Sequence, residues 1–413
     1  MTKQGFLEYY TSICAMLFFS CAIIVPKAIG IFPGLILIVA LPFLFSKKLY
    51  SSLTNNNLVL IGAFLLFGLL WILNSVSFLE SSRVYGKPSR FIAGALVLIF
   101  VLKYPPKEQF LWIGIGIGGI ATGVWALWEK LALGSQRVDA FTNAIQYGNI
   151  SILLGVLSLV GIGWAYQKSR HRFCWITLLL SGFILGLLAS ALSGSRGGWI
   201  GLGFIIAYIL IHFRSIFPKK LTLSVIILLS LTLTVLYLTP QTGIKNRIAE
   251  IGHNISLYSQ GKASTSVGTR FEFWKASLLM IQEKPIWGWG QSGYTDKLTQ
   301  LKSDKVINPL FIGHAHNEVL DTWSKRGAVG LLSLLLLYAT PLYVFYISRK
   351  KSLTKATLPL MVSGGVITLS YIDFGLTQVF FAHNNGVMFY IFSLVFLYAC
   401  LDNTQKALNP SLT

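Results

Sequence analysis

Two histidines one residue apart, His314 and His316, lie in the run GHAHNEVLDTW at 313–323, followed at once by Asn317, Glu318 and Asp321. Three readings of this stretch are open. An H-x-H pair on an extended segment can bind a metal ion, although the chain has no D-x-D or H-E-x-x-H to accompany it. Alternatively, both histidines are loop residues ahead of a helix that Asn317 caps. Val319, Leu320 and Trp323 would then pack inward, and Gly327 would break the helix. In the third reading one histidine is a general base. A neutral imidazole near pH 7 can take a proton from a hydroxyl, typically worth about 10²–10⁴ in rate. Glu318 or Asp321 could orient it, and the sequence does not choose between them.

Two arginines have the pattern of anion sites. In STSVGTRFEFWKASLLMIQEKP, Thr269 and Glu272 form a capping box. Phe271, Trp274, Leu278 and Ile281 then fall on one helical face, and Pro285 ends the pattern. This predicts a short amphipathic helix on the membrane surface or against the bundle. Arg270 would occupy its first position, where the helix dipole disfavours a cation unless an anion sits between them. In SGSRGGWIG, Arg196 follows two candidate caps, Ser193 and Ser195, and Gly197 and Gly198 allow close approach to the backbone. Solvated or snorkelling arginines are the plainer explanation of each. Two such arginines at helix starts suggest a diphosphate more than either does alone.

The elements that must position these residues are membrane helices. The 413 residues are 54% hydrophobic and 12% charged, about half the charged share of a soluble domain. Twelve apolar segments, centred near residues 18, 38, 67, 96, 120, 157, 182, 205, 230, 337, 364 and 392, predict an all-α polytopic membrane protein. One interruption is long: residues 240–326 hold seven of the fourteen acidic residues and three of the six histidines. The division is therefore 1–239 (nine helices), 240–326 (a large loop with the chemistry) and 327–413 (three helices and a tail), as one integrated domain.

A net charge of +20 would suggest nucleic acid in a soluble protein, but here loop asymmetry explains much of it. With the amino terminus cytoplasmic, the inner segments hold 16 Lys and Arg against 7 in the short outer ones. Both termini are expected in the cytoplasm and the long loop outside, with membrane lipids and no nucleic acid as surroundings. The four cysteines lie in apolar segments, so no disulfide is expected. No cleavable signal is apparent, and the first helix reads as a retained anchor. There is no Walker loop, nucleophile elbow or internal repeat.

Two arginines for a diphosphate, one histidine for a proton and an outward-facing site in a lipid-embedded body fit one reaction. A diphosphate leaves readily once its charge is stabilised, whereas an acceptor hydroxyl needs a base. The parts describe transfer from a lipid-linked diphosphate donor to an alcohol.

On SGSRGG with Arg196, SVGTRFEFW with Arg270, WGWGQSGY, HAHNEVL followed by GAVG, and RVDAFTNAIQYGN from Arg137, the chain resembles the bacterial O-antigen ligases. Their superfamily also holds O-antigen polymerases. The resemblance covers most of the chain and implies twelve helices in a GT-C-like architecture, with one large periplasmic loop. It implies transfer of a glycan from undecaprenyl diphosphate to a sugar hydroxyl of the lipid A core. The transfer would take place at the periplasmic face of the bacterial inner membrane and would invert the anomeric centre without metal, ATP or other cofactor. The family's essential arginines match Arg196 and Arg270, and its essential histidine matches His316, with His314 as a second candidate. Asn317 joins the substrate-binding candidates, and Arg137, Lys245 and Arg247 are candidates for the phosphorylated acceptor. A monomer could house the whole site. The nearest rival is a polymerase, whose acceptor is another lipid-linked glycan. A transporter is the rival from another class: twelve helices suit it, and Asp373, the one deep acid in the eleventh helix, favours it.

Overall fold

Thr2, Thr54 and Asn143 stand in extended conformation, and their side chains accept backbone N–H groups two or three residues on. Each starts an apolar helix by satisfying donors that have no partner within the helix. In the computed structural model, which describes residues 2–195, 197–214, 219–239, 244–351 and 354–408, all twelve apolar segments are helical. The first six are α1 (Lys3–Cys21), α2 (Ala28–Ala40), α3 (Asn55–Ser77), α4 (Pro88–Lys103), α5 (Glu108–Leu131) and α6 (Ala144–Ala165). Then come α7 (Arg172–Ser193), α8 (Leu202–Phe213) and α9 (Lys219–Leu238). The long interruption supplies α10 (Ile244–Ser259), α11 (Ser266–Glu283) and α12 (Gly290–Ser303). The last are α13 (Glu318–Lys351), α14 (Leu358–Gly375) and α15 (Asn384–Leu408). Among the described residues, nine helices are long and apolar enough to cross a membrane. The other three of the twelve are α1, α8 and α9. At about 1.5 Å per residue, the 12 residues of α8 fall short of a bilayer core.

The bundle is built around α6. From Gln146 to Ala165 every residue of α6 is buried, and its polar groups are uncharged. It can therefore be surrounded on all sides, as a helix apolar all round requires. Beside it, α5 carries a glycine stripe. A Cβ at Gly118 would collide with the Phe19 carbonyl of α1, and one at Gly119 with the Gly182 carbonyl of α7. Only glycine lets these backbones approach so closely.

The segment between α9 and α13 is a folded helical layer. Phe273, Ala276, Met280, Tyr294, Leu298, Leu301 and Ile307 give it a small core of its own. The expected amphipathic helix is present as α11, but its register differs from the sequence reading. Its N-cap is Thr265, which accepts the Gly268 N–H at 3.0 Å, four residues before Thr269. The reason is that both members of the supposed capping box are engaged elsewhere. Thr269 Oγ1 accepts the Leu310 N–H at 3.2 Å. Glu272 accepts the Tyr258 hydroxyl at 2.8 Å and the Asn308 N–H at 2.6 Å. The buried face is consequently Glu272, Phe273, Ala276, Ser277 and Met280, together with Ile281, which was expected there. Leu278, expected inward, is 51% exposed.

This layer is fastened to one end of the bundle. Asn74 donates to the Trp287 carbonyl at 2.9 Å, Trp287 Nε1 donates to Ser77 Oγ at 2.7 Å, and Glu80 accepts the Ser292 N–H at 2.7 Å. Gly327 makes the expected break in α13, with φ 64° and ψ −168°. A Cβ there would collide with the Ile286 backbone, and the next residue, Ala328, donates to the Pro285 carbonyl at 2.8 Å.

Candidate functional site

Ala315 anchors the histidine segment. It is fully buried, its carbonyl accepts Trp274 Nε1 from α11 at 2.9 Å, and its N–H donates to Asp321 Oδ1 of α13 at 3.3 Å. With the middle residue pinned, the two flanking imidazoles are set side by side, ring centres 4.2 Å apart. The His316 N–H donates to His314 Nδ1 at 3.2 Å, which places the proton of a neutral His314 on Nε2. His316 has φ 50°, in the left-handed region. Its ring stacks on Phe273 of α11 at 6.0 Å and 13°, and its Nδ1 has no hydrogen-bond partner among the described residues.

Electrostatics keep both rings neutral. Burial, then the neighbouring His316, push the pKa of His314 down to about 3, against a partial opposing effect of Asp321. Burial, then the Arg270 charge, push that of His316 down to about 4, partly offset by Gln378 and Asp321. Arg270 thus acts on His316 through its charge. It is not at the helix start as expected but is the fifth residue of α11, so the dipole argument does not apply to it.

Asn317 caps α13 as expected: its Oδ1 accepts the Leu320 N–H at 3.0 Å. Its Nδ2 donates to the Leu376 carbonyl at 3.4 Å, so both ends of its carboxamide are engaged. The inward face of the first turns of α13, however, is not the apolar one of the sequence reading, whose Leu320 and Trp323 are only half-buried. Val319 is 39% exposed, whereas Glu318, Asp321, Thr322 and Lys325 are buried. The face is polar because its partners are polar. Asp321 and Lys325 form an ion pair at 2.7 Å, and Arg326 lies over the Trp71 ring at 4.1 Å. The choice of acid is also resolved. Glu318 Oε2 accepts the Phe381 N–H at 3.0 Å and so fastens the link between α14 and α15. Asp321 is the acid that faces the histidines.

That link forms another wall, which the sequence reading missed. His383 sits edge-on to His314 with ring centres 6.2 Å apart, and its Nε2 lies 3.2 Å from Gln378 Nε2. Burial and the charge of Lys87 push the His383 pKa down. Lys87, just before α4, was also missed. A signal was available in HNN at 383–385, which echoes HNE at 316–318 across a polar gap between apolar runs.

Of the remaining site expectations, Arg196 lies outside the described residues. Its surroundings are described. Asn149 of α6 accepts both Ser195 Oγ at 3.0 Å and the Gly198 N–H at 3.1 Å. A Cβ on Gly197 would lie 2.5 Å from Thr377 Oγ1, which places this turn beside the link that carries Gln378. Arg137 is brought to the same turn, donating from Nε to the Ser193 carbonyl at 3.1 Å. Lys245 and Arg247 fall on α10, but their side chains lie outside the described residues. Asp373 accepts the Gly201 N–H at 2.8 Å, so this deep acid holds the start of α8.

A family described as O-antigen ligase matches residues 181–335 of the chain. That span runs from α7 through the arginine turn, α11 and both histidines into α13. An uncharacterized protein of Haemophilus influenzae is 30% identical over 401 residues, covering 96% of this chain and 99% of that protein. The O-antigen ligase of Escherichia coli K12 is 22% identical over 341 residues, covering 81% of this chain and 75% of that protein. The chain belongs to the O-antigen ligase superfamily. Lys87, Gln378 and His383 lie outside the matched span.

Proposed function

We propose that this protein is an O-antigen ligase, working at the periplasmic face of the inner membrane with both termini in the cytoplasm. It transfers a glycan from undecaprenyl diphosphate to a sugar hydroxyl of the lipid A core. The acceptor oxygen bonds to the anomeric carbon, and the bond from that carbon to the diphosphate breaks. The electron pair leaves with undecaprenyl diphosphate, and the hydroxyl proton passes to His316. Single displacement inverts the anomeric centre. Arg270 and Arg196 neutralise the charge that develops on the leaving group, and the transfer uses neither metal nor ATP. His314, held through Nδ1, sets the orientation of its neighbour. Asn317 frames the pocket. Arg137, Lys245 and Arg247 are the cations for the phosphorylated acceptor. One copy of the chain carries the whole site.

The observation that carries this reading is the half-buried His316, its ring stacked on Phe273 one turn along α11 from Arg270 and its Nδ1 unpartnered among the described residues. A base and an anion-binding cation are the two groups this displacement needs. Asp373, the residue that favoured transport, has a structural use at the start of α8.

The test is transfer by purified protein from polyprenyl-diphosphate glycan to lipid A core, with chelator present and ATP absent. The expected result is an upward shift of the core band, lost in His316→Ala. Growth of the glycan on its lipid carrier would instead make the protein a polymerase. No product of either kind, from folded protein and competent donor, would reject glycan transfer.

A further inference from the structure

We propose that Lys87, with the Gln378–His383 pair beside it, binds a phosphate group carried by one of the substrates. This rests on the glycan-transfer reading above. Lys87 is fixed in place because Pro88, the next residue, is buried, and its carbonyl packs so closely on Gly68 that a Cβ there would lie 2.9 Å away. The Lys87 side chain is partly buried, yet its ammonium makes no hydrogen bond or ion pair with any described residue. The largest charge effects on it come from three cations, Lys325, Arg90 and Arg326, and one anion, Asp321. That anion is already paired with Lys325 at 2.7 Å. A partly dehydrated cation among cations is unfavourable until an anion joins it.

Lys87 stands at the head of α4, whose Phe91 packs edge-on against Phe381 of the α14–α15 link with ring centres 5.6 Å apart, and its charge acts on His383, whose ring is 6.2 Å from that of His314. Gln378, only 3% exposed, lies between His383 and His316, with its Nε2 3.2 Å from His383 Nε2, and its Oε1 makes no close hydrogen bond among the described residues. An ammonium for phosphate oxygen beside an open acceptor for a hydroxyl suits a sugar that bears a phosphate. Two substrates carry such a group: the donor through its diphosphate, and the acceptor through phosphate esters on its core.

Initial rates of Lys87→Met and Lys87→Arg distinguish them, with donor and acceptor varied separately and the acceptor offered native or dephosphorylated. Loss of a charge-assisted contact is expected to raise one KM about 10-fold or more in Lys87→Met. kcat should be little changed, and Lys87→Arg should be near normal. A raised donor KM assigns the site to the diphosphate. A raised KM for native acceptor only assigns it to the core phosphate. Unchanged KM values, or a kcat loss that arginine does not rescue, would overturn the proposal.

If wild-type protein transfers nothing, the glycan-transfer reading fails and the anion site is tested by itself. Inorganic pyrophosphate and phosphate should then raise the Tm of wild type and Lys87→Arg more than that of Lys87→Met. Equal shifts in all three would overturn it.

Discussion

His316 adopts a left-handed backbone conformation, at a cost of about 1–2 kcal/mol for a residue with a side chain. Such strain persists only where the surroundings enforce it, and here Ala315, pinned from both sides, does so. If His316 is the base, His316→Ala should lower kcat by about 10²–10⁴, whereas His314→Ala should cost less, since it acts through its neighbour. The pH dependence carries a sign. In the free protein burial and Arg270 hold His316 near 4, so the acid limb of kcat/KM is expected close to that value. A bound diphosphate offsets Arg270 and favours the protonated ring, so the limb of kcat should lie at higher pH. A kcat limb at or below that of kcat/KM would contradict the arrangement. The fold should also lose stability on acidification. Between pH 6.5 and about 4 an unfolded histidine binds a proton that the folded His316 refuses. At this scale the sequence displayed the candidate groups, His314, His316 and Arg270. It did not display which acid faces them, because Glu318 and Asp321 are one turn apart and only their distant partners, Phe381 and Ala315, separate their roles.

Elements explain why these few side chains converge. The start of α8 hangs from α14 through Asp373, so Asp373→Ala should cost about 0.5–2 kcal/mol as a lost cap. It should also raise the donor KM through the arginine turn just upstream. A Tm shift with unchanged KM would show that the cap supports the fold alone. Gly327 is stricter. Its φ and ψ belong to a region open almost only to glycine, and the Ile286 backbone fills the space beside it. Gly327→Ala should therefore destabilise the docked layer by about 1–3 kcal/mol or more, visible as faster proteolysis between α11 and α12. The helices themselves were legible, because apolar runs and caps are local signals. The register of α11 was not, because Thr265 and Thr269 are equally good caps until Leu310 engages one of them. The inward face of α13 was misread for a related reason. Apolar residues are expected inside, but the surface that receives this helix is polar.

Across the whole molecule, the pocket draws on segments hundreds of residues apart, and no window of sequence holds them together. The helices that carry Lys87 and Arg270, the 314–316 segment and the 376–383 link meet, through Phe91–Phe381, Phe273–His316 and His314–His383, because alternate helix ends lie at the same end of the bundle. The count of cations predicts which side that end faces. With the four native cysteines replaced, Thr299→Cys on the exposed face of α12 should react with a membrane-impermeant maleimide in intact cells, and Asn403→Cys should not. The reverse pattern would overturn the orientation. The position of the Gln378–His383 wall also bears on how the protein is made. The ribosome completes the histidine segment before residues 376–383 exist. A chain stopped after α14 would carry His316 and Arg270 beside an unclosed pocket. If the wall holds substrate, activity begins only when synthesis is nearly finished, so a half-made chain in the translocon consumes no lipid-linked glycan.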